Sequence, residues 1–555
     1  MKIRSRHWKW PRFVLGFLAG LMFTGLLAFR PDYFEVSKHL DLFTNVVKQV
    51  SLYYVDDTEP GKLIQEAIEE MLSNLDPYTN YIPEEKVEDF RIQQTGSYGG
   101  IGASIRKHQG EILVANVYQG FPADQAGILI GDELLSVDDE SMLDRSTDEV
   151  SEILKGAAGT ELNLKLRRAQ DTFSLGLERE KIHVNSVPYA GHLGDSIGYI
   201  RLSSFTRNAS QEIENAWEGL QEKGELQSLV LDLRNNPGGL LAEAINVSNL
   251  FIPKGKTVVE TRGKLEEWTR NYRTQNQEKD AEIPLIVLIN SSSASASEIV
   301  AGTVQDYDRG IVMGQRSFGK GLVQETRKLP YGAQIKITIA KYYTPSGRLI
   351  QAIDYAERDE DGSVKRIPDS LRSRFETING RAVFDGGGID PDIAIEPQPP
   401  EDVVIELVRD MHIFDYATQY RYQHDSLAGP REFAISDQDF STFKSWLEGR
   451  NFSFKTSTDK TLEKLEKVAS NDGYGAKMTD QLEEIHAKLQ KLKEDDIQQY
   501  APMIQELLTE EIVSRYHYKG GRIASSLEHD PIIDSARKIL KDSLRYRTIL
   551  KPDED

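Results

Sequence analysis

The sequence predicts a multidomain chain: an α/β core, a β-rich module ahead of it, and helical regions at both ends behind an apolar N-terminal segment. At 555 residues it is long enough for about three or four domains. Its texture changes near residues 96, 183 and 397, from helical spacing to short β-like runs, then to alternating strands and helices, then to charged helical spacing. Hydrophobic residues are 39% and charged residues 28%, so burial can offset chain entropy and wholesale disorder is excluded. With 67 Lys and Arg against 88 Asp and Glu, the formal charge of −21 argues against coating nucleic acid or anionic membrane, which needs a positive field. Cysteine is absent, which excludes disulfides, thiolate nucleophiles, Cys-ligated zinc and iron–sulfur clusters. A nucleophile must therefore present oxygen or nitrogen.

The first segment, residues 1–30, begins with Lys2, Arg4, Arg6, Lys9 and Arg12, continues uncharged from Phe13 to Phe29, and closes with Arg30. A basic flank before such a run reads as a Sec-type signal or as a single-pass signal-anchor with its basic end in the cytoplasm, and the uncleaved anchor is the preferred reading. No small-x-small cleavage site follows Leu26-Leu27-Ala28-Phe29. The rest of the chain then lies outside the cytoplasm, in the periplasm of a bacterium with an outer membrane.

Residues 31–95 place Leu40, Phe43, Val46, Val47 and Val50, then Leu63, Ala67, Ile68 and Met71, at helical intervals, ending at Leu75-Asp76-Pro77-Tyr78. Residues 96–182 open on Gly99-Gly100-Ile101-Gly102-Ala103, run through a strand from Ile112 to Val117, and are punctuated by Phe121-Pro122-Ala123, Ala126-Gly127 and Gly131-Asp132. A glycine-rich turn can direct consecutive N–H groups at a carboxylate, and a neighbouring strand edge can accept an extended peptide. The ordered series resembles a PDZ domain, with Gly100, Ile101, Gly102 and Ala103 matching its carboxylate-binding loop. Asp139-Glu140, after Val137-Asp138, stands where that family usually has glycine.

Residues 183–397 hold two strand-to-helix junctions. Leu229 to Leu233 is a buried strand, Arg234-Asn235-Asn236-Pro237-Gly238-Gly239 a tight loop, and Leu240 onward a helix. Ile283 to Ile289 is a second strand, Asn290 to Ser297 a run of small residues, and Glu298 opens a helix. Free N–H groups at such junctions can stabilise an oxyanion, although Ser291, Ser292, Ser293, Ser295 and Ser297 also suit a simple turn and N-cap.

A serine nucleophile needs a base, and no histidine lies between His192 and His412. A Ser-His-Asp triad would have to borrow His183 or His192 from the domain's edge or reach into the C-terminal region; the available alternative is lysine, whose amine must fall by about three pH units, about 4 kcal/mol, to act near neutrality. Lys320 in Phe318-Gly319-Lys320-Gly321 is the best placed, with Gln324 four residues on to orient it. Gly314 to Gly321 nearly spells a phosphate-binding loop, but Gly321 replaces its final hydroxyl and Leu322-Val323-Gln324-Glu325 reads as strand. No metal motif such as H-E-x-x-H is present, and neither metal nor cofactor is expected.

Leu231 to Gly239, Ser293-Ala294-Ser295-Ala296-Ser297-Glu298-Ile299 and Phe318 to Gln324, in this order, resemble the carboxy-terminal processing proteases of family S41. Leu75 to Thr79 and Gly388-Ile389-Asp390-Pro391-Asp392 add to the likeness, which covers about residues 35–397. It implies a core similar to ClpP and crotonase enzymes, Ser295 as nucleophile, Lys320 as general base, Gln324 as its orienting partner, and an oxyanion hole from Ala296 with Gly238 or Gly239. Together with the compartment read from residues 1–30 and the PDZ-like loop, the expected substrates are envelope proteins with free, apolar C-termini. The competing reading, a PDZ-based adaptor with an inactive protease-like domain, requires the serine, lysine or glutamine to be missing, and all three are present. In residues 398–555, Leu482, Ile485, Leu489 and Leu492 predict an amphipathic helix or helical hairpin, a face for a second copy or an adaptor protein.

Overall fold

The computed structural model describes residues 31–194, 196–358, 363–396, 400–450 and 452–551. The expected signal-anchor lies outside them. Among the described residues no helix is long and apolar enough to cross a membrane.

Two compact units are present. In the first, residues 31–83 with Thr326–Ile337, the predicted periodicity forms helices Pro31–Tyr53 and Pro60–Ser73. The Asp76 carboxylate then accepts from Tyr78 N and Thr79 N, both at 2.8 Å, and turns the chain into strand Asn80–Ile82, antiparallel to residues 334–336. Leu40, Phe43, Val46 and Met71 form the expected apolar faces yet stay exposed.

The second unit begins with the β-rich module. Its sheet runs in the order Ala103–His108, Glu111–Val117, Glu133–Val137, Glu161–Arg168, Asp171–Glu178, which leaves Ala103–His108 as an edge strand. Leu162, Leu164 and Leu166 alternate inward along one strand, the period-two pattern of a half-buried sheet. Helices Pro122–Gln125 and Thr147–Leu154 complete it. At the departure from the PDZ pattern, Asp138 (φ 47°) and Asp139 (φ 67°) make the turn, and the Asp138 carboxylate accepts from Asn163 N at 2.8 Å. Aspartate tolerates this left-handed region better than most residues, so the hairpin forms without glycine.

The core is a six-stranded sheet in the order Tyr189–His192, Ile197–Arg201, Ser228–Asp232, Leu285–Ile289, Ile311–Gly314, Ile393–Ala394, parallel after its first pair. Both faces are covered, which is why its strands read as unbroken apolar runs. Leu229, Leu231 and Val287 pack with Trp217, Val247 and Val300 from helices Ala209–Lys223, Leu241–Asn249 and Ala296–Asp306. On the opposite face, Val230, Ile286 and Leu288 meet Ile533, Ala536 and Ile539 of helix Pro531–Lys541 and Tyr546 of helix Ser543–Leu550. Residues near the C-terminus are thus structural parts of the core. In the chain between strand Ile393–Ala394 and these helices, Asp402–Arg409, His412–Gln423, Asp437–Glu448 and Ala501–Ser526 enclose their own apolar centre around Phe443, Ile504, Leu508 and Ile512. The predicted amphipathic segment is the second arm of a hairpin, Ser457–Asn471 with Gly475–Gln499.

Candidate active site

The two predicted junctions stand side by side because strands Ser228–Asp232 and Leu285–Ile289 are hydrogen-bonded neighbours. At the end of the first strand, fully buried Asp232 accepts from Tyr199 Oη (2.7 Å), Arg201 Nη1 (3.2 Å) and Arg234 Nη2 (2.7 Å). Burial alone would raise its pKa, but Arg234 and Arg201 hold the carboxyl down at about 2. The ionised carboxylate in turn fixes Arg234 and the course of the loop behind it.

The loops are then laced together. Asn290 Oδ1 accepts from Asn235 N at 2.9 Å while its Nδ2 donates to Asn235 Oδ1 at 2.8 Å. Ala294 N donates to Asn236 O at 3.0 Å. Of the five loop serines, Ser293 donates to Leu233 O (2.8 Å), Ser297 to Asn236 O (2.9 Å), and Ser291 and Ser292 are exposed. Ser295 differs from all of them. It is half-buried, it is the N-cap of Ala296–Asp306, and its φ of 55° with ψ of −111° lies in sparsely allowed space that costs about 1–3 kcal/mol unless neighbours enforce it.

The enforcing group is Glu298, fully buried one turn on. Its Oε2 accepts from Ser295 N at 2.7 Å and from Lys320 N at 2.9 Å, and its Oε1 accepts from Ser317 Oγ at 2.6 Å and Gly319 N at 2.7 Å. Burial pushes this carboxyl up to about 7 against four donors that favour the charged form. Phe318 N also reaches Ser293 O at 3.0 Å. The lysine loop is therefore fastened to the serine loop along its backbone. Tyr342, buried, adds a second fastening: its hydroxyl donates to Ser295 O at 3.2 Å and to Lys320 O. Gln324 stands half-buried on strand Leu322–Lys328, its Nε2 donating to Thr338 Oγ1 at 3.2 Å.

Gly238 abuts the serine directly. A Cβ built there would lie 2.7 Å from Ala294 O, 2.9 Å from Ala296 N and 2.9 Å from Ser295 Cβ, so only glycine permits this approach. Gly238 N donates to Asn236 Oδ1 at 2.9 Å. Among the described residues neither Gly239 N nor Ala296 N, the first amide of its helix, is hydrogen-bonded to a protein acceptor. The nearest histidines by sequence are engaged elsewhere, His183 Nε2 with Glu212 at 2.9 Å and His192 Nε2 with Leu220 O at 3.0 Å.

In the β-rich module, Gly100 ends strand Ser97–Gly100 and Ala103 begins the edge strand. The carbonyls between them turn inward, Ile101 O accepting from Ala123 N and Gly102 O from Tyr118 N, both at 2.8 Å. That leaves the Ile101 and Gly102 amides without an acceptor among the described residues. Gly102 has φ +77°, and a Cβ there would fall 2.4 Å from Phe121 Cβ.

A family model described as Peptidase family S41 matches residues 196–359, a PDZ domain model matches 113–168, and one described as Probable PDZ-protease, C-terminal helical domain, matches 403–540. A carboxy-terminal-processing protease of Bartonella bacilliformis is 37% identical over 321 residues, 57% of this chain and 73% of that protein. The chain belongs to the S41 carboxy-terminal-processing proteases. A probable CtpA-like serine protease of Staphylococcus aureus is 38% identical over 317 residues, 56% of this chain and 62% of that one. Among solved structures, a photosystem II D1 C-terminal processing protease is 28% identical, covering 64% of this chain and 93% of its own, at a TM-score of 0.34.

This S41 peptidase is thus a serine-type enzyme with a PDZ domain, and the adaptor reading is not favoured. Sequence reasoning did not single out two residues that the structure bonds to both Ser295 and Lys320. Glu298 had a signal, since Ser295-Ala296-Ser297-Glu298 spells the S-x-x-E of a capping box. Tyr342 had none, because only the fold brings it to Ser295.

Proposed function

We propose that Ser295 and Lys320 are the catalytic dyad of this peptidase, on a core of the ClpP and crotonase type, and that the Gly100 to Ala103 loop captures the C-terminal carboxylate of its substrates. The observation that carries this reading is the shared Glu298 oxygen, which holds the backbones of both residues at once. Ser295 Oγ attacks the scissile carbonyl while Lys320 Nζ takes its proton, Gln324 orienting the amine. The Ala296 and Gly239 amides receive the oxyanion; Gly238 N, already bonded to Asn236, is the poorer donor of the glycine pair. Lys320 then returns the proton to the departing amine, and water releases the acyl group from Ser295. The basic tip and apolar run of residues 1–30 support an anchored enzyme whose body faces envelope proteins outside the cytoplasm. Binding the tail near the site raises its effective concentration there, so a modest PDZ affinity suffices.

The test is cleavage of an unfolded reporter with an apolar C-terminus by the purified full-length chain. Ser295→Ala, Lys320→Ala and Lys320→Arg should each abolish turnover while keeping the wild-type melting curve, the arginine because its guanidinium stays protonated. Retained turnover in Lys320→Arg would remove lysine from the mechanism. Amidating the reporter should raise KM; equal KM values would count against carboxylate capture.

A further inference from the structure

The edge strand Ala103–His108 has a second side that the carboxylate loop does not account for. Ser104 and Arg106, two residues apart, share one face of this strand, and that face is a wall of a cavity of about 860 Å³. Its other walls are the Arg234-Asn235 loop beside the serine loop and the helix Ala501–Ser526. That helix leaves helical geometry at Tyr518 (φ 55°, ψ −164°), whose hydroxyl donates to Asp124 of the PDZ module at 2.5 Å, and Lys519 follows at the cavity.

The cavity is cationic. Arg106, Arg201, Arg234, Arg515, Lys519 and Arg522 line it. The carboxylates paired with them are Asp232, Asp530, Glu510 and Glu511. Arg106, which stacks over Phe414 at 5.5 Å, lies within electrostatic reach of the cavity-lining Glu511 without forming a salt bridge, and Lys519 has no salt bridge among the described residues. Burial and the neighbouring Arg201 lower the pKa of Lys519, as an uncompensated positive charge requires. Arg515 is 8% exposed, and its Nε is buried without a hydrogen-bond partner.

We infer that this cavity receives acidic side chains of the substrate tail, making acidity at alternate positions upstream of the apolar C-terminus a specificity determinant. The inference rests on the reading of Ala103–His108 as the strand to which the tail is added. In such an added strand every second side chain shares the face of Ser104 and Arg106, while the others point toward helix Thr147–Leu154. Acidic groups on the first set meet Arg106 and Lys519; apolar groups on the second enter the PDZ groove.

Fluorescence anisotropy on the full-length Ser295→Ala chain tests this with labelled decapeptides sharing one apolar free-acid terminus and carrying Glu, Gln or Lys at alternate upstream positions. The Glu peptide should bind about tenfold tighter than the Gln peptide, the Lys peptide more weakly than either, and the Glu advantage should shrink with added salt. In Arg106→Gln with Lys519→Gln, Glu and Gln peptides should bind alike. Equal binding of Glu and Gln peptides to the unaltered cavity, or an advantage that survives the double substitution, overturns the inference. The wild-type comparison and its salt dependence stand even if the double variant fails to fold. Amidated versions separate the two readings: loss of carboxylate capture leaves free-acid and amidated peptides equal without altering the Glu against Gln comparison.

Discussion

Ser295 and Lys320 are joined through both polar groups of their backbones: their N–H groups donate to one Glu298 oxygen, at 2.7 and 2.9 Å, and their carbonyls accept from one Tyr342 hydroxyl. Helix Ala296–Asp306 and strand Ile311–Gly314 separate the two loops, so neither could hold this geometry by local propensity. Four hydrogen bonds over a buried carboxylate and a buried phenol make the pair a rigid unit, and the strained dihedrals of Ser295 persist because that unit enforces them.

Glu298→Gln should separate the loops. Glutamine keeps one acceptor oxygen and turns an NH2 toward two buried donors, each then unpaired at a cost of about 1–3 kcal/mol. kcat should fall about 100-fold, since displacement of about 1 Å has that effect, with KM nearly constant. Steady-state kinetics on a short peptide checks this; a fall confined to KM would place Glu298 in substrate binding instead.

Tyr342→Phe removes the one hydroxyl proton that the half-buried Ser295 and Lys320 carbonyls share. Stability should drop by about 1–2 kcal/mol in urea titration and kcat/KM by about tenfold. Wild-type kinetics would show that Glu298 alone sets the loops.

How much of this was legible depends on where the information sits. Strands Ser228–Asp232 and Leu285–Ile289 were plain, since burial on both faces forces continuous apolar runs, and the loops after them carry short motifs. The helix after Ser295 begins at Ala296, two residues before the expected Glu298, because Ser295 itself is the cap. Helix Pro531–Lys541 was not read from the sequence beyond the general helical character of residues 398–555, and its apolar face gives no sign that its partner is the sheet containing Val230 and Ile286. The same limit holds for Leu40, Phe43 and Val46, whose spacing specifies a helix but no partner.

Gly238→Ala should inactivate through packing. The new methyl would sit 2.7 to 2.9 Å from Ala294 O, Ala296 N and Ser295 Cβ, at a φ of +99° that alanine resists. Cleavage should fall at least about 100-fold while anisotropy of a bound tail peptide stays unchanged. Weakened tail binding would mean that the damage spreads beyond the loop.

Glu298 also gives the fold a pH dependence with a definite sign. Its carboxyl, raised from 4.5 to about 7 by burial, keeps its proton in the folded state after the unfolded chain has released it. Its contribution to stability is therefore full below about pH 4.5 and is lost as pH rises through 7. The urea midpoint of the wild type should decline relative to Glu298→Gln between pH 5 and pH 8. Parallel profiles would show that the carboxyl is ionised throughout.

The most direct measurement is to mix the wild-type chain with an activated ester of a tail peptide, quench in acid within the first turnover, and map the adduct by mass spectrometry. Acyl mass on Ser295, absent in Ser295→Ala and much slower to form in Lys320→Ala, is the result this account predicts. An adduct on another residue, or turnover that continues in Ser295→Ala, would contradict it.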